Sequence, residues 1–139
     1  MKVKEMMHQN VQWVSPDTRV TTVAQKMKQY DIGAIPVGED DRLVGMITDR
    51  DIAVRALANG KDVSGLTARD IMSKGVFWCH DSDDASEAAR IMESKKVRRL
   101  PVIDGNKRMV GMLSLGDVSH AAPQQTTAEV VKAVSAHHR

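Results

Sequence analysis

The chain contains itself twice. A shift of 65 residues lays Met7 on Met72, Val11 on Val76, Trp13 on Trp78, Ala24 on Ala89, Met27 on Met92, Pro36 on Pro101 and Val37 on Val102. One inserted residue raises the shift to 66, after which Arg42 falls on Arg108, Val44 on Val110, Gly45 on Gly111, Met46 on Met112 and Asp51 on Asp117. The insertion falls among polar turn residues, Gly38-Glu39-Asp40-Asp41 in one copy and Asp104-Gly105-Asn106 in the other, so both stretches read as hairpin loops. A duplication is a strong constraint, because one fold must serve both halves. A unit of about 60 residues buries too little surface to be comfortably stable alone. The expectation is therefore an α+β body in which two copies pair through their sheets about a pseudo-twofold axis, with clefts at the seam.

Each copy has the same order of elements. The first, residues 1–60, opens with a helical lead-in around Val3 to Met7 and a strand from Val11 to Val14. Ser15-Pro16-Asp17-Thr18 then supplies a turn and cap before Val20, Val23, Ala24 and Met27 recur on one helical face. Strands at Ala34–Val37 and Leu43–Thr48 form the hairpin, and a helix from Asp49 to Ala58 ends at Asn59-Gly60. Residues 61–66 are a linker. The second copy, residues 67–123, begins with a lead-in helix capped by Thr67-x-x-Asp70. It continues with a strand over Val76–His80, a helix over Asp84–Lys95 and strands at Leu100–Ile103 and Met109–Ser114. A helix of about two turns follows, carrying Val118, Ala121 and Ala122. Residues 124–139 read as an appended amphipathic helix, capped by Thr126-x-x-Glu129, with Val130, Val131 and Val134 on its apolar side.

Composition narrows the class of function. With 139 residues, 42% hydrophobic and 27% charged, the chain is of ordinary globular make-up. A net charge of +2 creates no overall field that would draw nucleic acid or membrane. The single cysteine, Cys79, excludes an internal disulfide and, set in an apolar strand, reads as a buried inert thiol. The first residues lack the apolar run of a signal peptide and no stretch approaches a membrane span, so the expectation is a soluble cytoplasmic protein. The histidines show no metal-binding spacing.

The chemistry concentrates in Gly45-Met46-Ile47-Thr48-Asp49-Arg50-Asp51-Ile52 and its second copy, Gly111-Met112-Leu113-Ser114-Leu115-Gly116-Asp117-Val118. In each, apolar residues end a buried strand, a hydroxyl stands where a helix begins, and a carboxylate lies in the first turn. Such a corner supports two readings. Helix-start N–H groups can receive an anion while the carboxylate accepts hydrogen bonds from sugar hydroxyls. Alternatively, hydroxyl and acid cap the helix reciprocally and bind nothing. Two equivalent copies favour binding over a chance capping pattern.

The duplication, the Ala34-Ile35-Pro36-Val37 and Arg99-Leu100-Pro101-Val102 strands, and the paired Gly-h-h-[Thr/Ser]-x-x-Asp-[Ile/Val] signature (h, hydrophobic) together resemble a tandem cystathionine-β-synthase (CBS) domain pair, or Bateman module. The resemblance covers nearly the whole chain. It implies a β-X-β-α-β-β-α unit used twice, homodimerisation, and binding of adenosine-containing ligands such as AMP, ADP, ATP, NAD or S-adenosylmethionine. It assigns ribose to Asp51 and Asp117, neighbouring contacts to Thr48 and Ser114, and further contacts to Ile35, Pro36 and Pro101 of the two strands. In the second copy Arg98 and Arg99 stand where the first has Gly33 and Ala34. Alternation along a strand lets one of them reach the ligand, and the resemblance selects Arg99 for phosphate, which its fork suits. Trp13 and Trp78 depart from the smaller residues common in the family, and are expected to fill the space between the repeats, with stacking on adenine as the alternative. The resulting expectation is a stand-alone regulatory module, not an enzyme, that signals to a separate partner. The competing expectation is a ligand-free dimerisation module with the same fold.

Overall fold

The computed structural model describes residues 1–60, 62–121 and 131–132. It is a mixed helix and strand structure that divides into two compact units, each built around one copy of the repeat. Gln12–Val76 forms the first-repeat unit; Met1–Val11 together with the chain from Phe77 onward forms the second-repeat unit. The lead-in helices are thus exchanged: the one that opens the sequence packs with the second copy, and the one that precedes the second copy packs with the first.

In the second-repeat unit, helix α1 (Val3–Met6) contributes Val3 to the core. In the first-repeat unit, α2 (Val20–Tyr30) buries Val20, Val23 and Met27, three of the residues whose spacing announced it. It stops at Asp31, a left-handed residue whose N–H donates to the Met27 carbonyl. Strands β1 (Ala34–Glu39) and β2 (Arg42–Thr48) pair antiparallel, with Ala34 opposite Thr48 and Val37 opposite Gly45. Asp40 and Asp41 turn the hairpin at positive φ, which short Asp side chains tolerate. The next helix is not the continuous α-helix expected from Asp49 to Ala58: α3 (Asp49–Asp51) passes into a π-helical segment, Ile52–Leu57. The wider turns are closed by bonds such as Ala58 N–H to the Ala53 carbonyl, 3.0 Å. The segment carries β-branched Ile52 and Val54, whose stiff side chains weaken an α-helical turn. A 3-10 turn at Val63–Gly65 leads to α4 (Ala68–Ile71), capped reciprocally by Thr67 and Asp70. Ala68 and Ile71 complete a core with Val14, Val23, Ile35, Val37 and Ile47.

The second-repeat unit repeats this plan around a three-stranded sheet of order β3-β4-β5. Strand β3 (Cys79–His80) runs parallel to β4 (Arg99–Ile103), which pairs antiparallel with β5 (Met109–Ser114). Helix α5 (Ala85–Lys95) buries Ala85, Ala88, Ala89 and Met92 and is capped by Asp84. Helix α6 (Leu115–Ala121) follows β5 directly. Val3, Cys79, Ala88, Met92, Leu100, Val102, Leu113 and Val118 form the core. The appended helix proposed for residues 124–139 lies outside the described residues, apart from Val131 and Lys132, which are helical and exposed.

The opening strands are shorter than expected, for one reason in both copies. Val11–Val14 reduces to a single parallel bridge between Val14 and Val37, and Val76–His80 to Cys79–His80. Val14 donates to the Pro36 carbonyl at 3.1 Å and accepts from Gly38 N–H at 2.9 Å. Extending this ladder two residues earlier needs a donor at position 36 or 101, where proline has none. The Pro residues of the two family-like strands therefore end the ladder and release Gln12-Trp13 and Phe77-Trp78 from the sheet.

Candidate functional site: two signature corners

Each signature forms a strand-to-helix corner inside its own unit. At the first, Thr48 N–H donates to Asp51 Oδ2 at 2.9 Å and Asp51 N–H donates to Thr48 Oγ1 at 3.1 Å. At the second, Ser114 N–H donates to Asp117 Oδ2 at 2.8 Å and Asp117 N–H donates to Ser114 Oγ at 3.0 Å. Both are complete capping boxes. Capping does not exhaust the carboxylates. An ionised carboxylate offers about four acceptor positions, and one N–H uses only one of them. The Asp51 and Asp117 side chains keep 14% and 13% exposure, so the remainder can be reached by a ligand.

The remaining oxygen of each acid meets a different group. Arg55, one helical turn after Asp51, places Nε 3.7 Å from its Oδ1, while its Nη1 donates to the Ile71 and Met72 carbonyls at 3.2 and 3.4 Å. Asp117 Oδ1 instead lies 3.0 Å from His8 Nε2. The spacing Asp51-x-x-x-Arg55 carries a signal for the first pair. No local pattern signals the second, which spans most of the chain.

Lead-in segments reach these corners because the signature glycines admit them. Met112 and His8 exchange two backbone bonds, both 2.9 Å, just as Met46 and Ser73 exchange two at 3.1 and 2.9 Å. A Cβ on Gly111 would stand 2.6 Å from Met7 Sδ and 2.8 Å from the His8 carbonyl oxygen; one on Gly45 would stand 2.5 Å from Met72 Sδ and 3.1 Å from the Ser73 carbonyl oxygen. Glycine is required for close approach, and repeat-related methionines lie on it.

The other anticipated residues divide by burial. Arg99 is exposed and stands opposite Ser114 in the β4–β5 pair, as Ala34 stands opposite Thr48 in β1–β2, so the register brings Arg99 to the second corner and nothing comparable to the first. Neither Arg98 nor Arg99 is within ion-pair distance of a carboxylate among the described residues. Ile35 is fully buried, its side chain in the core, and Pro36 and Pro101 are buried in their strands. Burial withdraws these three side chains from a ligand, and the Pro36 carbonyl already accepts from Val14 N–H. The tryptophans lie outside both cores: Trp13 is 46% and Trp78 43% exposed. Trp13 lies across Gly38, 3.2 Å from where a Cβ would be, and Trp78 meets His80 edge to face at 4.9 Å. Cys79 is buried, and loss of hydration first, then the nearby Asp83 charge, push its thiol up to about 12. Among the described residues no cluster of three His, Cys, Asp or Glu side chains could hold a metal, and no helix is long and apolar enough to cross a membrane.

Comparison with known proteins places this geometry. The CBS domain family model matches twice, over residues 3–57 and 68–124. Hypoxic response protein 1 of Mycobacterium tuberculosis is 36% identical over 132 residues, 94% of this chain and 92% of its own length. A crystal structure of Hypoxic Response Protein I with two coordinated zinc ions superposes with a TM-score of 0.80 at 35% identity, covering 88% of this chain and all of that one. CBSX2 of Arabidopsis thaliana, solved in complex with AMP, gives 0.75 at 28% identity over 89% of this chain and 97% of its own. The CBS domain pair of MJ0100, solved with 5′-methylthioadenosine and S-adenosylmethionine, gives 0.76 at 26% identity over 86% and 94%. Two family matches in tandem, two equivalent corners and neighbours that are themselves CBS pairs lead to one conclusion: the chain belongs to the CBS domain family and carries a tandem pair of its domains.

Proposed function

We propose that the chain is a regulatory module that binds adenosine-containing ligands at its signature corners and passes their presence to a separate partner protein. The observation that carries this reading is the pair of half-shielded carboxylates, Asp51 and Asp117, each fixed by a capping box yet left with acceptor positions to spare. A vicinal diol donates two hydrogen bonds and suits such an acceptor. CBS pairs solved with AMP and with S-adenosylmethionine support the ligand class. Thr48 and Ser114 flank the acids, and Arg99 supplies a phosphate fork at the second corner only. In this reading the module acts in the cytoplasm and without catalysis: the histidine beside Asp117 has no counterpart at the first corner, where Ser73 holds the repeat-related position. Val54 and Leu57, exposed on the π-helical segment, supply apolar surface for a homodimer.

A thermal-shift panel of AMP, ADP, ATP, NAD, S-adenosylmethionine and guanine nucleotides tests the reading. A ligand that binds only the native state raises its stability, by about 2.7 kcal/mol at a hundredfold excess over Kd. Stabilisation by adenine but not guanine compounds is expected. The second reading, a dimerisation module without ligand, is favoured by the completeness of both capping boxes, in which each acid already accepts the N–H of its Thr or Ser partner; it predicts no shift with any compound.

A further inference from the structure

The two corners are alike in their backbone and unlike in what faces the acid. In both, a methionine sulfur lies on the signature glycine and the following lead-in residue pairs through its main chain with the methionine of the signature: Met7-His8 on Gly111-Met112, and Met72-Ser73 on Gly45-Met46. That following residue is histidine at one corner and serine at the other. Helix α1 packs on α6 and β5. Between Met109 and Ser114, β5 carries no charged side chain; α6 carries Asp117 and His120, and α1 carries Lys4 and Glu5. Of these carboxylates only Asp117 is within ion-pair distance of His8, Nε2 to Oδ1 at 3.0 Å. Asp51, by contrast, faces Arg55, whose charge does not change with pH.

We propose that His8 is a further residue of the second site, and that through its contact with Asp117 it makes binding of a nucleoside's sugar hydroxyls there, but not at Asp51, dependent on pH. The inference rests on the nucleoside reading of the corners given above. The Ser114 N–H takes one position on Oδ2, and with His8 neutral the other oxygen, Oδ1, keeps its acceptor positions for a diol. With His8 protonated, its positive charge lies 3.0 Å from Oδ1 and neutralises the oxygen that a sugar hydroxyl must use. The His8 side chain is 75% exposed, so the contact is screened and its effect modest.

The test is calorimetric titration of adenosine, whose charge is constant over this range, into the full chain carrying Asp51→Asn so that only the second corner reads out. Adenosine should bind about two- to fivefold more weakly at pH 6 than at pH 8. His8→Gln, which keeps an N–H donor but gains no charge, should bind at both pH values as the pH 8 protein does. His8→Ala should also lose the pH dependence, and its melting temperature reports whether the lead-in stays docked. The reverse single variant, Asp117→Asn with His8 and Asp51 intact, should show no such pH dependence at the first corner. Adenosine binding that is equally pH-dependent with and without His8 overturns this inference while leaving the nucleoside reading in place. An absence of adenosine binding by the unsubstituted chain at both pH values overturns the nucleoside reading and this inference with it.

Discussion

Gly111 and Gly45 show how a single missing methyl group organises a corner. Each permits a lead-in methionine to lie against the strand and bond its successor to the main chain, and that docking carries His8 to Asp117. An alanine at 111 would press on the His8 carbonyl, main chain that cannot swing aside, as well as on Met7; at 45 the closest contact is the flexible Met72 sulfur. Gly111→Ala should therefore destabilise by about 1–3 kcal/mol, the usual cost of overpacking, and Gly45→Ala by less, measured by chemical denaturation. Cys79 gives a second prediction. Its thiol stays protonated in the folded chain up to about pH 12 but ionises near the ordinary value of 9.0 once unfolded. The stability it contributes is complete below pH 9 and is lost as pH rises from there towards 12. Iodoacetamide at pH 8 should leave Cys79 unlabelled in the native chain and label it on unfolding. Rapid native labelling would contradict its placement in the core.

Exchange of the lead-in helices fixes what an independent piece of this fold must contain. Residues 1–65 span a full copy of the repeat yet lack α4, whose Ala68 and Ile71 close the first core, and whose Ala68 N–H bonds the Thr18 carbonyl at 2.7 Å. A fragment of residues 12–76 should be better folded by circular dichroism than one of residues 1–65. A cooperatively folded 1–65 fragment would contradict the exchange. The element pattern itself was legible because its signals are local. Val20, Val23 and Met27 mark a helical face, Asp104-Gly105-Asn106 a hairpin, and Thr67-x-x-Asp70 a cap. Three features were not legible. The exchange joins residues that no periodicity links; the shortening of the first strands follows from a missing N–H on a neighbouring strand; and the exposure of Trp13 and Trp78 follows from that shortening. The site was legible as a motif, since Asp51 and Asp117 each follow a hydroxyl by three residues. Its partners were not: Arg55 lay within reach of an i, i+4 reading, whereas His8 is brought to Asp117 only by the docking of the lead-in on Gly111.

At the scale of the molecule, duplication has produced two corners with a common frame and separate chemistry. The first combines Asp51 with Arg55 and a small Ala34 opposite Thr48; the second combines Asp117 with His8 and an arginine opposite Ser114. Removing the arginine in Arg99→Ala should weaken ATP more than adenosine, because only ATP presents phosphate oxygens to the fork. Light scattering at micromolar concentration should give the mass of a homodimer, and Leu57→Asp should shift it towards the monomer. The most direct test asks whether the signature acids bind or only cap. AMP is titrated calorimetrically into the unsubstituted chain, Asp51→Asn and Asp117→Asn, with melting temperatures measured in parallel. Asparagine can still accept the capping N–H, so the folds should hold, while affinity at the altered corner should fall by about ten- to a hundredfold, the loss expected for hydrogen bonds to a charged group. Unchanged AMP affinity in both variants, accompanied by lowered melting temperatures, would show that the acids only cap their helices and would contradict the account.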